Sequence, residues 1–170
     1  MAPAQASLLA KLDTQERVRD FLTNAVASGR ASHAYLFLGA PGAGKLDAAW
    51  ALAQAFLCEQ DGCGSCDSCV RVARHTHPDV HYYTPESATG YLIAQTRELL
   101  DDVPLAPIRA KAKVYIIDRA EQLRANTANA LLKTLEEPPE GVMFILLGTS
   151  ADVMSVSYTH LRAHETTLHL

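Results

Sequence analysis

One segment limits the architecture more than any other: HAYLFLGAPGAGKLDAAWALAQAFL, His33 to Leu57. An apolar run of strand length enters a glycine loop and leaves it as a run of helix length. A strand without polar alternation is covered on both faces, which points to a parallel sheet rather than an open antiparallel one. The rest of the chain repeats the alternation. DTQERVRDFLTNAVASG predicts a helix capped by Asp13 or Thr14, with Val18, Phe21, Leu22 and Val26 on its apolar face and Gly29 ending it. The second helix, Gly44 to about Leu57, has Ala49, Leu52, Ala53 and Phe56 on one face. DVHYYT, KVYIID and VMFILLG are three more strands. GYLIAQTRELLDDV and NTANALLKTLEE are helices, the latter stopped by Pro138 and Pro139. The fold class is therefore α/β, a parallel sheet with flanking helices.

Gly39, Gly44 and Lys45 fit the phosphate-loop pattern G-x-x-x-x-G-K-[ST], with Gly42 inside the loop. In such a loop backbone N–H groups and a helix N-terminus hold phosphates, while the lysine reaches the outer ones. Leu46 stands where a hydroxyl would hold magnesium, and it offers no oxygen. Asp47 adds a carboxylate beside the bound phosphates. Two like charges about 5 Å apart cost roughly 3 kcal/mol at an effective dielectric near 20. KVYIID ends at Asp118, as the second acidic strand of such a site does, but the following position is Arg119. Arginine cannot act as a base near neutral pH, and Glu121 would have to swing back to do so. Gly39, Gly42, Gly44, Lys45 and Asp118 therefore form a degenerate nucleotide site, with weak or no ATP binding and no catalytic residue.

CEQDGCGSCDSC places Cys58, Cys63, Cys66 and Cys69 at C-x4-C-x2-C-x2-C spacing. In a reducing compartment this clustering favours a metal over disulfides. Four thiolates around one tetrahedral ion match zinc, and they leave no open position for catalysis. The inserted module, about residues 58–69, is thus a structural zinc site. His75 and His77 read as loop or helix-end residues. Lys133, Glu136 and Glu137 read as a solvated helix face.

The formal net charge is −4, unlike the basic surface of a free-standing duplex-DNA binder. No run approaches a membrane span, and the N-terminus lacks a secretory pattern. The expected compartment is the cytoplasm. From Ser155 the chain reads SVSYTHLRAHETTLHL, which resembles the translation of a transposase-type sequencing-library adapter. Residues 155–170 are therefore expected to be non-native and loosely packed. The native continuation is expected beyond Met154. With the fifth strand missing, the edge of Tyr35–Leu38 is expected to stand open and aggregation-prone.

SHAYLFLGAPGAGK, the cysteine cluster, HPDVHYYTPE, KVYIIDRAEQL and NTANALLKTLEEPPEG follow one another over nearly all of residues 10–154. In this order they resemble the bacterial clamp-loader subunits of DNA polymerase III, most of all the delta-prime group. The resemblance implies an AAA+ P-loop domain over residues 1–154, ending before the helical lid. It implies a non-hydrolysing subunit that works with gamma/tau and delta subunits to place a sliding clamp on primed DNA during replication, with no membrane partner. Thr149 and Ser150 align with a sensor position and are expected to be strand-end polar residues. Gamma/tau-like relatives typically keep the hydroxyl and the Asp-Glu pair that Leu46 and Arg119 replace here. An active gamma/tau-like ATPase is the alternative; a zinc-dependent nucleic-acid binder is a third possibility.

Overall fold

A computed structural model describes residues 7–150 and 166–170. Five parallel strands form one sheet: β1 (Ala34–Leu38), β2 (Val80–Tyr83), β3 (Lys113–Ile117), β4 (Val142–Gly148) and β5 (Thr166–His169). Their order is β2-β3-β4-β1-β5. The three central strands are buried along their whole length, as their unbroken apolar sequence requires. The helices are α1 (Glu16–Ala27), α2 (Lys45–Leu57), α3 (Asp67–Ala73), α4 (Ile93–Asp102) and α5 (Ala125–Glu136). Alternate residues of the central strands face two cores. Tyr35, Phe37, Val114, Ile116 and Ile145 pack with α1 and α2. Leu36, Leu38, Tyr115, Ile117 and Phe144 pack with α4 and α5.

Several local expectations need correction. α1 is capped by neither Asp13 nor Thr14. It starts after Gln15, because the preceding chain is pinned in a short 3-10 turn by buried Leu9 and Leu12. Gln15 instead sends its side-chain amide to the Ala43 carbonyl of the glycine loop, 3.2 Å away. Val18 and Leu22 are buried, but Phe21 is not. α2 is not apolar on one face only: Ala48 to Ala55 are all buried. The sheet covers one side of it, and α1 and α3 cover others. α3 is a helix the sequence did not announce. Lys133 and Glu136 are exposed on α5, and exposed Glu137 caps its end.

The expectations of a loosely packed tail and an open β1 edge fail where the tail is described. Thr166–His169 pairs in parallel with Tyr35–Leu38 and continues through the Leu170 N–H, which donates to the Leu38 carbonyl at 2.7 Å. Thr166 and Leu168 are half-buried, whereas Thr167 and His169 are exposed. That alternation is all an edge strand needs. The open edge of β1 carries unpaired backbone donors and acceptors, and a short segment with two β-branched threonines satisfies them. Residues 155–165 lie outside the described residues.

Candidate functional site

The carboxyl ends of β1, β3 and β4 meet the N-terminus of α2 around a cavity of about 560 Å³. Gly42, Gly44, Lys45, Leu46, Asp47, Asp118, Arg119, Glu121 and Thr149 line it. Gly42 and Gly44 have φ of +81° and +83°, while a Cβ on either would meet nothing within 4 Å. The left-handed backbone, not crowding, requires glycine there. Gly39 does not line the cavity. Its carbonyl accepts a hydrogen bond from Lys45 Nζ at 2.5 Å, and the Ala40 carbonyl accepts another at 2.8 Å. A Cβ on Gly39 would lie 2.6 Å from the Leu170 oxygen. The glycine is thus fitted to the end of β5.

Gly42, Gly44, Lys45 and Asp118 line the same cavity. Leu46 and Asp47 lie on the same wall. Asp118 Oδ2 is 3.3 Å from the Tyr82 hydroxyl, which donates to it. Arg119 has a left-handed backbone, φ +46°. Its own N–H donates to Asp118 Oδ1 at 2.9 Å, and its Nη2 donates to Thr84 Oγ1 at 2.9 Å. The 3-10 turn Ala120–Gln122 that follows puts Glu121 on the cavity wall without any swing. Glu121 Oε2 is buried with no hydrogen-bond partner among the described residues. Sequence reasoning missed this, because the turn depends on the strained backbone at Arg119.

At the other end of α2, Cys58, Cys63, Cys66 and Cys69 gather with all four sulfurs within 4.8 Å of one another. Cys58 and Cys66 sulfurs are 3.8 Å apart, and those of Cys63 and Cys69 are 4.0 Å apart. A tetrahedral ion with metal–sulfur bonds near 2.3 Å requires sulfur separations of about 3.8 Å. Backbone N–H groups of Gln60 and Cys63 point at Cys58, that of Cys66 at Cys63, and that of Cys69 at Cys66. The Ser65 hydroxyl, followed by the Ser65 and Cys66 amides, lowers the Cys63 thiol to about 6, whereas burial pushes the Cys66 and Cys69 thiols up. The residues fit a metal ion, and their chemistry fits zinc. Gly62, at φ +92°, lets the loop lie against α2: a Cβ there would be 3.3 Å from the Ala55 Cα.

A third feature carries no motif. Asp79 is fully buried. Its carboxylate accepts N–H bonds from Ile108, Arg109 and Ala110 at 2.5, 2.7 and 2.8 Å. Burial alone would raise this carboxyl, but the three donors outweigh it and hold it below the usual carboxylate range. His77 is also buried. Its Nδ1 accepts from the Asp79 N–H, and burial holds it below the ordinary histidine value.

Residues 14–156 match the family described as DNA polymerase III, delta subunit. The delta' subunit of DNA polymerase III from Bacillus subtilis is 41% identical over 138 residues, covering 79% of this chain and 42% of that protein. The tau subunit of Escherichia coli is 42% identical over 147 residues, covering 84% of this chain and 23% of that protein. The chain thus spans less than half the length of these relatives. A gamma subunit-related protein from Thermotoga maritima superposes with a TM-score of 0.60 at 17% identity, covering 89% of this chain and 45% of that one. At that identity the likeness shows the fold alone, a parallel sheet with flanking helices. No helix among the described residues is long and apolar enough to cross a membrane. On the match over residues 14–156, and on relatives above 40% identity, the chain belongs to the family described as DNA polymerase III, delta subunit.

Proposed function

We propose that this chain is a non-hydrolysing, delta-prime-type subunit of the DNA polymerase III clamp loader. It acts with gamma/tau and delta subunits to load the sliding clamp onto primed DNA in the cytoplasm. The observation that carries this reading is the composition of one wall. The cavity keeps its glycine loop and lysine, but Leu46 gives magnesium no oxygen. Arg119, following Asp118, is directed to Thr84. The cavity then serves as a passive nucleotide site and as architecture. The four-cysteine module holds a structural zinc. The adapter origin of residues 155–170 stays part of this proposal. A borrowed strand can fill the edge of β1 as well as a native one.

Reconstitution tests the reading. The full chain is mixed with gamma/tau and delta subunits, and clamp loading on primed DNA is measured. Stable assembly and loading, both dependent on this chain, are expected. Failure to join the complex would contradict the proposal.

One observation favours the alternative of an active gamma/tau-like ATPase. Glu121 presents a carboxylate oxygen with no partner among the described residues beside the cavity, where a base could orient water. Under that alternative Glu121→Gln would abolish a measurable ATP turnover.

A further inference from the structure

The phosphate-loop cavity is walled by three carboxylates, Asp47, Asp118 and Glu121, against two cations, Lys45 and Arg119. Both cations are already engaged. Lys45 directs two N–H groups to the Gly39 and Ala40 carbonyls, which leaves one of an ammonium's three donors. Arg119 donates through Nη2 to Thr84, and its Nε lies 4.0 Å from Asp118 Oδ2. Those bonds leave both positive charges in place, and the wall as a whole carries a formal excess of one negative charge.

We propose that the cavity selects a nucleoside diphosphate over a magnesium–nucleoside triphosphate. This inference rests on reading the cavity as a passive nucleotide site. The loop amides, the N-terminus of the 13-residue α2 and one lysine donor suit the anchoring of a phosphate group. A further phosphate adds negative charge to a cavity that holds more carboxylates than cations. Magnesium would ordinarily screen that repulsion. At the loop position that would hold it, Leu46 supplies a hydrocarbon. The energetic consequence is like-charge repulsion in a partly enclosed space, where the effective dielectric is well below that of water.

Calorimetric titration of the full chain with ADP and ATP, each with magnesium and with chelator, tests this. ADP is expected to bind at least about tenfold more tightly than ATP, the scale of one incompletely screened charge contact. Magnesium should not reverse the order. Glu121→Gln should narrow the gap by strengthening ATP binding more than ADP binding. Its folding is checked by thermal melting, and the unsubstituted chain carries the test if the variant does not fold. Magnesium–ATP binding as tight as ADP or tighter would overturn the proposal and leave a passive site standing. Binding of neither nucleotide would overturn both. Assembly with gamma/tau and delta subunits judges the clamp-loader reading separately.

Discussion

The two ends of α2 share a design and differ in what they keep. At the N-terminal end a glycine loop wraps the cavity, and at the C-terminal end a glycine-bearing knuckle wraps four sulfurs. The knuckle brings four cysteine sulfurs together at separations that suit one tetrahedral ion, 3.8 and 4.0 Å for two of the pairs. The phosphate loop carries Leu46 where the loop pattern has a hydroxyl, and Arg119 follows Asp118. A structural metal site fails if one of its ligands is lost, because its binding free energy is folding free energy. A nucleotide site that no longer turns over can lose its chemical groups and still hold a strand and a helix together.

Metal removal should separate the ends most strongly. The account predicts one zinc per chain by metal analysis after dialysis. It predicts a large loss of thermal stability with chelator or Cys66→Ser, since structural zinc contributes many kcal/mol. Zinc content unaffected by Cys66→Ser would break the comparison at its stronger end.

Next in size is Asp79→Ala. It leaves the N–H groups of Ile108, Arg109 and Ala110 without their acceptor and should cost on the order of 3 kcal/mol, read by denaturant unfolding. Arg109, in this same loop, also reaches Asp67 of the knuckle helix at 3.1 Å. The loss should therefore be felt at the metal end rather than at the phosphate loop. The pH dependence has a definite sign. Because the Asp79 carboxyl is held below its ordinary value when folded, its stabilisation is full above about pH 4. It is lost as the pH falls through the lowered value. Asp79→Ala should flatten that acid limb of the stability curve.

Deleting residues 166–170 should have a smaller effect, about 1 kcal/mol for uncovering half-buried Leu168. It should also produce concentration-dependent association through the opened edge of β1. Here the phosphate-loop end is affected, since Leu170 lies over Gly39. The least effect belongs to Leu46→Thr. It restores one hydroxyl, leaves Arg119 in place, and should produce no measurable ATP turnover.

What the sequence disclosed follows from how locally each feature is encoded. β1, β3 and β4 were legible because a strand buried on both faces is written as an unbroken apolar run. The four cysteines and the glycine loop were legible because their ligands lie close together in the chain. α3 was hidden because seven residues carry less than two full turns of periodicity. β5 was hidden because four residues, half of them exposed, make a weak alternation. Long-range polar pairings leave no mark at all. Lys113 opens β3 and is buried, with Nζ 2.7 Å from Asp102 Oδ2 at the end of α4. Nothing near either residue announces the other. Asp79 and its loop are likewise about 30 positions apart. Glu121 was discounted because its route to the cavity runs through the left-handed backbone of Arg119.

The central claim is that the phosphate loop persists without turnover. The most direct measurement is steady-state phosphate release from ATP by the full chain with magnesium, alone and in the assembled complex under conditions that silence the partner ATPases. The account predicts no release above the background without this chain. Magnesium-dependent turnover on the order of 1 s⁻¹, ordinary for a working enzyme, and abolished by Glu121→Gln would contradict it.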